Sequence, residues 1–427
     1  MSIIMHNNRN KLAIAIAAVS AAISTSAAAG GFQLNEQSVS AQGTSFAGRT
    51  SNVTDATIVF GNPAGMSFLD RAQVTAGATY LDVNSNIDNA AGTTALGTPV
   101  TPGTNGGDMV PGKTVPFGYF VQPINDHLHF GLGVYAPFGV ITDYKSSFEG
   151  RYFGSYSDVE VITVQPTLSI KFNDRFSAGF GVTYNRIDGE LEKATYGGPF
   201  GDGSVNVQGD DEAWGFTFGL MYKPVESTTL GVTYRSDVDY TLDGDLKTRN
   251  VYAGGRSPLP DASYDASLDI TLPETIDFSV THEVNDRWKL MAGAALVKWS
   301  SFDQLVIAND SPLGTRTEVQ DYDDAWQYAL GTAYRVSPAW VLRAGIAYDD
   351  SPIRDSVRTV RVPSGDRTIY SLGAGWTPVP DLTLDVAYTY IDEATASVDE
   401  ASRTAGRYQA DYHNKIHGIG AQLTYRF

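Results

Sequence analysis

The sequence predicts an all-β fold, a 14-stranded antiparallel transmembrane β-barrel with an N-terminal hatch (plug) in the lumen. Three observations carry the barrel. An export signal precedes a chain with no stretch of membrane-helix length. Apolar residues alternate with small or polar ones in fourteen segments. Short turns and long loops exchange regularly between those segments.

The export signal comes first. Arg9 and Lys11 are the only charges before residue 30, and Leu12 to Ile23 is an almost continuous run of small apolar residues. Ala27-Ala28-Ala29 then offers small-residue cleavage sites, which completes the three-part pattern of a secretory signal peptide over residues 1–29. The apolar run is shorter than the ~18 residues that a spanning helix needs, and nothing later approaches that length. The exported chain is therefore either soluble or a barrel in the outer membrane.

Composition favours the barrel. The 427 residues include 43 Gly, 23 Tyr and 19 Phe, and mean hydropathy is slightly negative. In a barrel only alternate residues meet lipid, so such a value is expected. The absence of cysteine excludes a disulfide scaffold and a thiolate metal site. A net charge of −18, made more negative when the leader takes two cations with it, argues against nucleic acid as a partner.

The alternation is explicit. Phe176, Ala178, Phe180, Val182 and Tyr184 alternate with Ser177, Gly179, Gly181 and Thr183. Leu382 to Tyr390 and Trp340 to Tyr348 repeat the pattern. Successive side chains of a strand face opposite sides, so one face is apolar with aromatic ends and the other is small or polar, as lipid outside and a lumen inside require. Fourteen segments start near residues 72, 115, 127, 158, 175, 212, 227, 265, 286, 323, 339, 367, 381 and 413. An even count fits a bacterial outer-membrane barrel over residues 71–427.

Short connections such as Asn173-Asp174, Asn285-Asp286 and Ser337-Pro338 alternate with long ones near 88–113, 142–157, 193–211, 246–264, 303–322, 350–366 and 392–411. These are the expected periplasmic turns and extracellular loops. The final segment ends on Phe427, a terminal aromatic of the kind that barrel-assembly machinery reads. Outer-membrane lipid and lipopolysaccharide are the remaining expected macromolecular surroundings.

Residues 30–70 do not alternate and are rich in Gly, Ser, Ala and Asn. They also carry Phe32, Leu34, Phe46, Ile58, Val59, Phe60 and Met66, too many apolar groups for a solvated tail. A plug inside the barrel is the expectation.

At this point a resemblance becomes specific. Gly31 to Ser38 reads GFQLNEQS, and Asn62-Pro63-Ala64 follows about thirty residues after Phe32. Pro123-Ile124-Asn125-Asp126, Thr233-Tyr234-Arg235-Ser236, Leu272-Pro273-Glu274 and Asp349-Asp350-Ser351-Pro352 follow in order. The ordered set resembles the FadL/TodX family of outer-membrane transporters of long-chain fatty acids and aromatic hydrocarbons. The resemblance implies fourteen strands, an N-terminal hatch, a ligand pocket in the lumen and a sideways exit at a kink in the third strand, against which the Asn-Pro-Ala of the hatch packs. Here the third strand holds Ala136-Pro137-Phe138-Gly139. Pro137 has no N–H for a neighbour and Gly139 permits a bend. Pro166 in the fourth strand lacks a donor as well. The expectation is that Asn62, Pro63 and Ala64 form a lateral gate with Pro137, Phe138 and Gly139.

A fatty carboxylate in a low-dielectric pocket calls for Lys or Arg nearby. The resemblance implies bases near the end of the fifth strand and before the tenth. Lys193 stands at the first place. At the second Glu318 stands where a base is expected, with Arg316 two residues earlier. Lys193 and Arg316 are thus the candidate ligand-binding residues. The departure at Glu318 keeps uptake of neutral aromatic or aliphatic hydrocarbons open beside fatty acids. The sequence carries no nucleotide-binding loop, so passive transport without a cofactor is expected.

Two other classes compete. An outer-membrane lipid hydrolase needs a Ser, a His and an orienting Asn or Asp near the membrane, and none of the histidines sits in a nucleophile motif. A general porin would have an open charged lumen without the apolar-rich segment. His127 and His129 are two apart, as metal ligands can be, but lack further ligands at suitable spacing. Asp323-Asp324 and Asp349-Asp350 read as solvated charge at strand or loop ends.

Overall fold

A computed structural model describes residues 31–252 and 258–427. The signal peptide expected over residues 1–29 lies outside the described residues. Nineteen strand segments form one continuous sheet, and they make fourteen passages around a closed antiparallel barrel. Six passages are unbroken: β1 (Gln73–Thr93), β2 (Lys113–Pro123), β3 (Leu128–Asp143), β4 (Tyr156–Asn173), β5 (Phe176–Thr195) and β6 (Gly203–Val225). The next four are each built from two segments. These are β7 and β8 (Thr228–Arg235, Val238–Arg249), β9 and β10 (Ala262–Leu272, Thr275–Glu283), β11 and β12 (Trp288–Val297, Gln304–Asn309), and β13 and β14 (Arg316–Val319, Ala325–Ser337). Then come β15 (Trp340–Asp349), β16 (Arg367–Val379), the pair β17 and β18 (Leu382–Glu393, Ala396–Ser402), and β19 (Gly406–Arg426). Pairing of β1 with β19, from Gln73 opposite Arg426 upward, closes the ring. No helix among the described residues is long and apolar enough to cross a membrane.

The burial pattern is that of a soluble sheet turned inside out. Along β5 the outward Phe180 and Val182 are exposed while Ser177, Gly179, Gly181 and Thr183 are buried. Leu330, Leu372 and Ile419 are likewise more than half exposed. An apolar side chain is stable there only against lipid.

Strand starts agree with the sequence to within a few residues except at three places. β6 begins at Gly203 rather than near 212, β13 at Arg316 rather than near 323, and β19 at Gly406 rather than near 413. All three begin within what read as loop. A spanning strand needs ~9–11 residues, and β6 has 23. The extra length of β6 carries Asn206, Gln208, Gly209, Asp210, Asp211 and Glu212, which blurs its alternation, whereas that of β19 sets buried Tyr408, Ala410 and Tyr412 between Arg407, Gln409 and Asp411. Glu160, Asp188, Asp210 and Asp243 stand directly opposite one another on β4, β5, β6 and β8. Arg186 bridges Asp188 and Asp210 at 3.0 and 3.1 Å. The connection between β15 and β16 forms no strand and turns inward, burying Ile353, Val360 and Arg361.

Residues 31–69 fold into short helical turns at Val39–Gln42 and Ile58–Gly61 and a 3-10 turn at Pro63–Phe68. They bond to inward-facing residues around the ring. Val39 N donates to Gln422 Oε1 of β19 at 3.0 Å, Gln42 Nε2 to Thr389 Oγ1 of β17 at 3.2 Å, and Thr233 Oγ1 of β7 to Gly61 O at 2.8 Å. An irregular backbone away from water needs partners for its N–H and C=O groups. The small polar inner faces of the strands supply them.

Candidate functional site

The wall is interrupted at β3. Its pairing with β2 ends at Phe117 opposite Tyr135. Continuing that register would set Pro116 against Ala136 and leave Pro137 next, so neither strand brings a full set of donors. With β4 the register shifts by one between Tyr135 and Phe138, a bulge over Ala136-Pro137. The polar groups so released are taken by the start of the N-terminal segment. Leu34 N donates to Pro137 O at 2.8 Å, and Gly139 N donates to Phe32 O at 2.9 Å. Gln37 Nε2 donates to Ala136 O. Gln33 and Phe138 form an antiparallel bridge. Pro166 causes no comparable gap. It stands opposite Leu132 of β3, and β4 resumes the same register with β5 at Thr167.

Asn62-Pro63-Ala64 does not lie on this kink, which corrects the expected direct pairing of the two motifs. Asn62 Oδ1 caps Ala64 N at 3.0 Å, and its Nδ2 donates to Leu220 O and Thr50 O, each at 2.9 Å. Ala64 O accepts from Ser177 Oγ at 2.8 Å and Ser169 Oγ at 3.2 Å. Gly179 and Gly219 have no side chain to keep the turn off β5 and β6; a Cβ on either would overlap it. The turn therefore needs a patch of the β4–β6 wall with two glycines. The kink needs a backbone with free N–H and C=O groups, which Phe32 to Leu34 provide.

Phe32 lies edge-on to three aromatic rings, with centroids 6.1 Å from Phe138, 4.7 Å from Trp299 and 5.4 Å from Phe302. Above this cluster a cavity of about 70 Å³, partly continuous with the outside, is walled by Val140, Ile187, Leu191, Leu242, Ile270 and Leu305. Mainly apolar walls are characteristic of small-molecule sites. Phe32 is thus both the floor of the cavity and the residue whose backbone closes the bulge.

The cavity has one charged side. Arg361, buried on the β15–β16 connection, lines it. Its Nη1 donates to Tyr156 O and Ser157 Oγ, each at 2.9 Å. Lys193 stands two residues beyond Leu191 on the same face of β5, and Glu318 is opposite Leu305 on the β12–β13 hairpin. Glu318 sits between the two cations, 3.7 Å from Lys193 Nζ and 3.9 Å from Arg361 Nε. Arg316 is exposed on the same hairpin and does not line the cavity. The sequence pointed to Lys193 and Glu318 but missed Arg361. Its only signal was a cation between Val360 and Val362 in a segment that otherwise reads as a solvated loop.

The N-terminal segment is anchored by charge as well. Asp277 of β10 accepts from Arg49 at 3.4 Å and from Arg235 at 2.7 Å, with all three side chains largely buried. Arg49 also donates to Asn35 Oδ1 at 2.8 Å and Gln327 Oε1 at 2.9 Å. Beside it Glu36 is buried, with Oε2 lacking a hydrogen-bond partner. Burial pushes its carboxyl up to about 7.

Comparison with known proteins follows from this geometry. A family model described as outer membrane protein transport protein (OMPP1/FadL/TodX) matches residues 20–427. The chain is 28% identical to the long-chain fatty acid transport protein of Escherichia coli O6:H1, over 97% of this chain and 98% of that one. It is also 28% identical to outer membrane protein P1 of Haemophilus influenzae, over 98% and 99%. Among solved structures it resembles a Pseudomonas aeruginosa FadL homologue, with TM-score 0.86 and 27% identity over 93% of this chain and all of that one. The Pseudomonas putida toluene transporter TodX shares the fold, with TM-score 0.68 and 18% identity over 93% and 99%.

Proposed function

Because the chain belongs to the OMPP1/FadL/TodX family of outer membrane transport proteins, we propose that this transporter of hydrophobic molecules takes up long-chain fatty acids, binding them in the lumen and releasing them sideways at the β3 kink. The observation that carries the reading is the apolar cavity whose floor, Phe32, also closes the bulge at Pro137. A ligand that displaces Phe32 frees the backbone groups of Pro137 and Gly139 in the same movement. Binding and opening are then one event. Residues 30–70 act as the hatch. Asn62, Pro63 and Ala64 hold its far end to the wall, and Pro137, Phe138 and Gly139 form the gate itself. Lys193 takes part at the charged side, with Arg316 nearer the water. Transport is passive, down the gradient. Outer-membrane lipid surrounds the exposed apolar band, lipopolysaccharide borders it outside, and Phe427 at the end of β19 serves recognition by the assembly machinery.

A second reading, uptake of neutral aromatic or aliphatic hydrocarbons, is favoured by the pairing of Lys193 and Arg361 with Glu318. With its cations already facing an internal carboxylate, the cavity asks less charge of its ligand. Reconstituted barrel in proteoliposomes, assayed for uptake of palmitate, hexadecane and toluene, separates the two. Uptake of palmitate supports the first reading. Uptake of the hydrocarbons alone supports the second, and uptake of none overturns both.

A further inference from the structure

Glu318 is placed where a ligand's head group belongs. It projects beside the cavity wall from β13, a segment of four residues whose strand partner is β12. Its neighbours Arg316, Thr317 and Val319 are exposed, so little packing holds the segment down. The distances of 3.7 and 3.9 Å to Lys193 and Arg361 are ion-pair distances beyond hydrogen-bond length. A carboxylate so placed offsets one of two positive charges in a poorly solvated corner without bonding closely to either cation. Glu400, accepting from Val360 N at 2.8 Å, is a second carboxyl at this corner, and burial pushes it up to about 7.

We infer that Glu318 is a built-in stand-in for the carboxylate of a fatty acid, and that an acid binds by exchanging with it on Arg361 and Lys193. The inference rests on the cavity being the ligand site. The exchange is electrically neutral, because one carboxylate leaves the cations as another arrives. Glu318 moves toward water as the β12–β13 hairpin lifts. Burial of the acyl chain drives the exchange. A neutral ligand fills the same apolar walls and leaves Glu318 in place. The hairpin thus distinguishes acids from hydrocarbons, a distinction the apolar walls do not make.

The test compares palmitate with methyl palmitate, which has the same chain without the charge, by equilibrium binding to the purified barrel. Glu318→Gln keeps the shape of the side chain and removes its charge. It should tighten palmitate about tenfold, roughly 1.4 kcal/mol, and leave the ester unchanged. Arg361→Met should weaken palmitate by a similar factor, again without moving the ester, and Arg361→Lys should restore part of the loss. Equal shifts for both ligands, or no shift for palmitate in Glu318→Gln, overturn the exchange while the cavity reading survives. Failure of wild type to bind either ligand overturns the cavity reading and the exchange with it.

Discussion

The backbone N–H of Leu34 donates to the carbonyl of Pro137 at 2.8 Å, so the N-terminal segment closes the place where β2 and β3 part. Gly139 lies beside this bond, buried and donating its own N–H to Phe32. Gly139→Arg should place a long charged side chain at the gate. Fatty-acid uptake should fall by an order of magnitude or more, the effect of losing a few kcal/mol of access, while the barrel still assembles. Heat-modifiable migration on gels checks assembly and labelled palmitate checks uptake. Normal uptake by an assembled variant would sink the gate.

Asp277 holds two guanidinium groups, Arg49 from the N-terminal segment and Arg235 from the wall. Asp277→Ala strands both, which costs about 3–5 kcal/mol when a buried pair loses one partner. Arg49→Met leaves Asp277 its bond to Arg235 and should cost less, about 1–3 kcal/mol. A loosened segment admits ions, so single-channel conductance in planar bilayers should rise in that order. Equal closure in wild type and both variants would mean that the anchor lies elsewhere.

A Cβ on Gly219 would overlap Asn62 Oδ1 and crowd Pro63. Gly219→Val should therefore lift the Asn62-Pro63-Ala64 turn off the wall, at about 1–3 kcal/mol for overpacking. Phe218→Ala, on the lipid-facing side of the same strand, is the control. Limited proteolysis should cut residues 31–69 faster in the first variant than in the second. Identical cleavage rates would refute the role of the glycine.

Glu36 gives the segment a pH dependence of known sign. Its folded pKa of about 7 lies above the ordinary 4.5, so the folded state binds its proton more tightly. The cost of an ionised Glu36 is absent below pH 4.5, grows between 4.5 and 7, and is complete above 7, at an upper limit of about 3 kcal/mol. Conductance should rise with pH across that window. Glu36→Gln should flatten the rise, and an unchanged profile would assign it to another group.

Much of the barrel was legible because lipid imposes period-two alternation, and Phe176 to Tyr184 shows it plainly. The outer part of β6 escaped because its acidic run interrupts the alternation. Asp210, Asp211 and Glu212 alternate nothing and read as loop. The partner of the kink escaped for another reason. The motif Asn62-Pro63-Ala64 is conspicuous, whereas Phe32 to Leu34 meets Pro137 and Gly139 through backbone atoms, which leave no trace in side-chain pattern. Arg361 is a third kind of miss. A cation on a long connection looks solvated until the connection is seen to turn inward over the cavity.

The bonds from Val39 to Gln422 and from Gln42 to Thr389 span 383 and 347 positions of sequence. They join the first part of the chain to strands near its other end. Neither partner is in place until β17 and β19 have formed and β19 has met β1. An early segment of the chain thus waits on strands that are made last. Such distant pairings bring a high loop-closure cost and slow folding. Throughout that wait Phe32, Leu34 and Phe46 lack their final apolar surroundings, and the unfinished barrel is an open pore. Its permeability barrier is a property of the last folding step.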